Sequence, residues 1–162
     1  MLVSGVLLGL VAGLAIGRDV RRFDRLRVRW LPVLIGSLAL RALAPLVPAI
    51  GFPLYVGALA GTSISAAVNM RLVGTGLIAV GGFLNLVVVL ANGGMPVDAA
   101  ALAIAGAQMP QDTLHLVLDG STRLAGLSDV IPLPLLRGVY SVGDVIIAAG
   151  GFLLPFLILV RR

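Results

Sequence analysis

Cysteine, lysine and glutamate are all missing from this 162-residue chain, and histidine occurs once, as His115. Without cysteine there is no disulfide to staple a loop and no thiolate to hold a metal. A lone histidine falls short of a metal-ligand set, so no metal and no cofactor is predicted. Charge is scarce: 12 % of residues are Asp or Arg, against 59 % hydrophobic. A soluble domain of this size needs far more charge to cover its surface, and the mean hydropathy of +1.11 places the chain in the membrane class. Also missing are a phosphate-binding glycine loop, a GxSxG elbow and an HExxH helix. All twelve cations are Arg and all seven anions Asp, which reads as a composition bias. The net charge of +5 does not imply nucleic acid. Half of the arginines (Arg18, Arg21, Arg22, Arg25, Arg27 and Arg29) sit in one run beside a hydrophobic segment, where anionic lipid headgroups are the expected neighbours.

What is present is apolar sequence cut by a few polar marks. The pattern predicts an all-α polytopic membrane helix bundle, one domain over 1–162, with about five transmembrane crossings at 1–17, 31–50, 54–69, 72–91 and 141–160. Positive charge follows the first apolar run instead of preceding it, so this run reads as an uncleaved helix with its start outside. Nine arginines then fall on the cytoplasmic side, including Arg71, Arg161 and Arg162. Arg123 and Arg137 fall outside, and Arg41 lies within a helix. The expected location is the bacterial cytoplasmic membrane, N-terminus outside and C-terminus inside. Gly5, Gly9, Gly13 and Gly17 recur every four residues, a bare ridge that lets another backbone approach closely. That neighbour is either a membrane-protein partner or second copy, or another helix of the same chain.

Residues 92–140 hold most of the remaining polarity and are predicted to form a part-helical extracytoplasmic lid. Residues 97–107 are too short to cross a bilayer and read as an interfacial helix, with Asp98 to cap it and Gly106 to end it. With no disulfides, the lid must be ordered by burying its apolar side chains on the bundle or among headgroups.

Candidate site residues follow from polarity in apolar surroundings. Asp144 opens the last crossing in Ser141-Val142-Gly143-Asp144, either as a capping box with Ser141 or as an intramembrane carboxylate marking a site. Arg41 sits near the middle of the second crossing, next to a backbone opened by Pro45. It is expected to face the bundle and reach outward to Asn85 or Asp144, or to form an anion or headgroup site. Asp112, His115 and Asp119 are spaced to share a helical face. Two carboxylates brought together share a proton as aspartyl hydrolases require; Asp144 with Asp119 or Asp129 is the pair to test.

NGGMPV (92–97), His115, DVIPLP (129–134) and SVGDVIIAAG (141–150) together resemble a family of small bacterial integral membrane proteins of unknown function. The resemblance covers about the C-terminal half and implies a location but no activity. A second resemblance, confined to short motifs, is to the lipoprotein signal peptidases. Their last helix opens Phe-Asn-x-Ala-Asp, matched here by Tyr140-Ser141-Val142-Gly143-Asp144. It implies a catalytic role for Asp144, with Asp119 as the second acid and Asn92 in the place of their Asn-x-Gly-Ala-Ala element. The Gly-Asn-x-x-Asp-Arg context and the crossings between the two motifs are absent. Two functions are therefore expected: a non-catalytic membrane subunit or scaffold that binds another membrane protein or lipid, or an intramembrane aspartyl hydrolase or lipid-handling enzyme.

Overall fold

An apolar run has no water to satisfy its backbone in a bilayer, and a helix satisfies every N–H and C=O internally. The computed structural model describes residues 1–16 and 20–160, without the side chains of Arg22, Asp24 and Arg25. The expectations for Gly17, Arg18, Asp19, Arg161 and Arg162 lie outside the described residues. Helix α1 is Leu2–Ala15, α2 Leu31–Leu43, α3 Gly51–Val68 and α4 Thr75–Asn92. A segment of short elements, residues 93–141, follows, and α6, Val142–Val160, ends the described chain. Three helices, α3, α4 and α6, are long and apolar enough to cross a membrane. Helix α1 and α2 with its 3-10 extension to Leu46 are apolar but shorter. Pro45 and Pro48 account for the early end of α2, since neither can donate to a helical hydrogen bond.

Glycine sets the packing order. A Cβ at Gly5 or Gly9 would collide with the carbonyl oxygen of Ala148 or Phe152, and one at Gly13 with the Leu159 side chain. Both series rise together, so α1 and α6 run parallel, and the glycine ridge packs within the chain. Gly81 meets the Gly143 backbone, and Gly74 meets Gly150, so α4 and α6 are antiparallel. Ser37 lies against Gly61 and Leu40 against Gly57, so α2 and α3 are also antiparallel. The helices thus pack in the spatial order α1, α6, α4, α3, α2. Asn69 ties one end of this row together: its side chain accepts from the Arg29 N–H and donates to the Arg29 carbonyl, both at 2.8 Å.

The 93–141 segment adds short strands to a mostly helical chain, a departure from the all-α expectation. Its only α-helix among the described residues is α5, Ala99–Ala105, capped by Asp98 through the Ala100 N–H at 2.9 Å and ended by Gly106 at φ +62. Around it lie four short strands. β1, Met95–Val97, pairs in parallel with β2, His115–Val117; β3, Ile131–Leu133, pairs antiparallel with β4, Gly138–Tyr140. β-Branched and proline-bearing triplets suit short extended pieces and not helices. Met95 and Leu114 bury themselves with Ala44, Tyr55, Leu59, Val88 and Val89, fixing this segment onto the ends of α3 and α4. Meanwhile Val3, Leu8, Val11, Ile35 and Phe83 face outward, an apolar exterior expected for a protein in lipid.

Candidate functional site

Ser141 precedes α6, and its hydroxyl accepts the Asp144 N–H at 2.9 Å, which is the N-cap half of the expected capping box. The other half is replaced. The Asp144 carboxylate turns sideways to accept from Asn85 Nδ2 at 3.2 Å. Asn85 Oδ1 in turn accepts the Ser141 hydroxyl at 2.8 Å. Asn85 is buried in α4, and its approach needs the bare backbone of Gly143, where a Cβ would strike the amide oxygen. One buried amide thereby joins two helices with both of its polar atoms used.

Arg41 arrives from α2. Its guanidinium lies 4.7 Å from the centroid of the Tyr55 ring in the first turns of α3, a cation–π contact. Tyr55 and its neighbour Asp144 are the polar company that makes an arginine tolerable at this depth. Arg41 makes no carboxylate ion pair, since the salt bridge found among the described residues is His115–Asp112.

Asp129 lies between α5 and β3. Its N–H donates to Pro96 and its carbonyl accepts from Asp98, both at 2.9 Å, so the backbone is stitched beside β1. The side chain is buried and Oδ1 has no hydrogen-bond partner. Burial first, and the neighbouring Asp144 charge second, push its pKa up to about 8 against the pull of Arg41. At neutral pH the group is therefore largely protonated. Asp129 also lines a cavity of about 180 Å³ with His115, Tyr140 and Arg137.

The remaining candidates lie elsewhere. Asp119 is exposed in a turn, accepting from the Ser121 N–H and hydroxyl at 2.8 and 2.7 Å, which hold its carboxyl below the usual range. It does not join Asp144. His115 begins β2 instead of sharing a helical face with Asp112 and Asp119. Its Nδ1 lies 2.8 Å from Asp112, whose carboxylate also accepts the Leu114 and His115 N–H groups. Burial opposes ionisation of Asp112, but these bonds outweigh it and lower its pKa. Asn92 is a clasp: it donates to the carbonyls of Val88 and Arg123 and accepts the Arg123 N–H, tying the end of α4 to the loop at Arg123.

The Arg41, Asn85 and Asp144 side chains line one wall-to-wall cavity of about 270 Å³, with Thr62, Leu59 and Ile147. Leu2, Val3 and Leu38 continue it into a second, almost wholly apolar cavity of about 330 Å³, reaching Ser65, Asn69 and Leu154. Together they form a trough between α1 and α2, the two ends of the helix row, with α3, α4 and α6 as its floor.

A model of DUF5317, a family of unknown function, matches residues 25–156. The chain belongs to that family. No curated protein and no solved structure matches it. The matched region of this DUF5317 chain takes in Arg41, Tyr55, Asn85, Asp129, Ser141 and Asp144. Nothing in the sequence signals that Tyr55 lies under Arg41. The trough was also invisible, because it arises between α1 and α2, which the packing places at opposite ends of the helix row.

Proposed function

We propose that this DUF5317 protein is a five-crossing protein of the bacterial cytoplasmic membrane that holds a lipid in the trough between α1 and α2. The lid lies outside the cell, the start of α1 outside and the end of α6 inside. Support for this topology is the charge distribution, together with the parallel course of α1 and α6 and the antiparallel course of each intervening pair. The observation that carries the lipid reading is the trough itself. It joins an apolar length to a polar end, and an amphiphile has that same division. Arg41 lies about 7 Å below the outer end of the helix it extends, at roughly 1.5 Å per residue, a depth suited to a lipid head. A lipid entering sideways between α1 and α2 needs no water-filled route. In this reading the protein is a binding or scaffold protein and not an enzyme.

The test is retention of lipid. The full chain, purified in mild detergent and weighed intact by native mass spectrometry, is expected to carry about one phospholipid. Leu38→Trp fills the trough where its two halves join and is expected to abolish that retention without loss of folding. Lipid absent from the wild-type protein, or equally retained by a well-folded Leu38→Trp variant, overturns the proposal.

One observation favours a second reading. Asp129, protonated at neutral pH, and the Asp144 carboxylate influence one another beside the trough. Such a pair can act as general acid and general base on an ester or amide held there, Asp144 taking a proton from the attacking water and Asp129 giving one to the substrate oxygen. Incubation with native lipid extract, followed by mass analysis, should then reveal a product lost in Asp129→Asn and Asp144→Asn. An unchanged lipid profile rejects this reading and leaves the binding role standing.

A further inference from the structure

We infer that the polar end of the trough selects a zwitterionic phospholipid headgroup, its phosphate on Arg41 and its ammonium on Asp144. This rests on the reading that the trough holds a lipid, and it names which lipid. Arg41 projects from α2 and Asp144 from α6, two helices that are separated in the packing order by α4 and α3. Both side chains line the same cavity of about 270 Å³, yet they do not close on each other as an ion pair. Opposite charges that face one cavity offer a counter-charge to each end of a zwitterion.

Each charge is half satisfied in a way that points inward. The Arg41 guanidinium lies 4.7 Å from the Tyr55 ring centroid and carries several N–H donors, enough to serve a phosphate beside its contact with Tyr55. Asn85 occupies Oδ1 of Asp144 at 3.2 Å, and among the described residues no protein group bonds Oδ2. A purely anionic head would neutralise Arg41 but face the Asp144 carboxylate. A purely cationic head would meet the reverse. A head that carries both charges a few bonds apart meets neither penalty. Asp129, the third acid nearby, does not upset this balance, because burial keeps it largely protonated at neutral pH.

Full-length protein is exposed to an equimolar mixture of phosphatidylethanolamine and phosphatidylglycerol with matched chains, and the retained lipid is counted by native mass spectrometry. Wild type is expected to favour phosphatidylethanolamine about fivefold, the ratio one partly screened charge contact supports. Asp144→Asn is expected to remove that preference and Arg41→Gln to weaken retention of both lipids. A third arm leaves the protein intact and so avoids any folding defect. Acetylating the amine of phosphatidylethanolamine removes its cation and is expected to cancel its advantage. Equal uptake of the two native lipids, a preference for phosphatidylglycerol, or an undiminished preference for the acetylated lipid overturns the inference while lipid retention itself still stands. Failure to retain any lipid overturns the trough reading and this inference together.

Discussion

Asn85 and Asp144 are 59 positions apart in sequence and meet at 3.2 Å across the α4–α6 contact. The amide of Asn85 is spent on both sides, giving its N–H to the carboxylate and taking the Ser141 hydroxyl. This single side chain therefore sets the direction in which Asp144 points and anchors the start of α6.

Replacing Asn85 with Leu strands both the Asp144 carboxylate and the Ser141 hydroxyl. Loss of hydrogen bonds to buried polar groups costs about 1–3 kcal/mol each. The Asn85→Leu protein is expected to melt at lower temperature in detergent, measured by tryptophan fluorescence of Trp30 or by a light-scattering melt. Unchanged melting would show that the pair contributes no stability.

Gly143→Ala puts a methyl where the Asn85 amide oxygen and the Gly81 carbonyl already sit. Overpacking of this kind costs about 1–3 kcal/mol, and here it also pushes α4 from α6. Gly36→Ala is the matched control, because nothing lies within 4 Å of a Cβ there. Alanine suits a helix interior better than glycine by about 1 kcal/mol, so Gly36→Ala is expected to hold or raise the melting temperature while Gly143→Ala lowers it.

Asp129 gives the protein a pH dependence of definite sign. Its carboxyl titrates near 3.8 when unfolded and near about 8 when folded. Below the lower value both states are protonated and the group favours neither. Between the two, the unfolded chain releases the proton and the folded chain does not, so stability falls as pH rises and levels off above about 8. Melting temperatures recorded from pH 5 to 9 should fall more steeply for wild type than for Asp129→Asn. Parallel curves would mean the carboxyl is not held neutral.

Topology can be read without background, since the chain has no cysteine of its own. Leu135, 94 % exposed at the tip between β3 and β4, and Met70, 65 % exposed in the α3–α4 turn, are suitable positions. A membrane-impermeant maleimide added to intact cells is expected to label Leu135→Cys but not Met70→Cys. Permeabilisation should expose the second. Labelling of Met70→Cys alone in intact cells would invert the proposed orientation.

The helices were legible because each is written as a run of apolar residues ended by Arg, Pro, Gly or Asn. Asp98 and Gly106 marked α5, because a cap and a stop act on neighbours two or three residues away. The strands were not legible. Met95–Val97 is extended only because His115–Val117 lies alongside it, about twenty residues on, and a triplet carries no period to read. For the same reason the helical face expected for Asp112, His115 and Asp119 dissolved into a turn, a strand and an exposed loop.

By itself the sequence determined where this chain can reside. Apolar area, the scarcity of charge and the glycine spacing are summed along the chain, and no partner is needed to evaluate them. Tertiary structure decided which polar groups face one another. It put Arg41 over Tyr55, turned Asp144 to Asn85 and sank Asp129 beside them, while leaving Asp119 in solvent. Those choices depend on distances between segments dozens of residues apart. Helix packing fixes such distances, and in this chain the packing is set by which backbones glycine allows to touch.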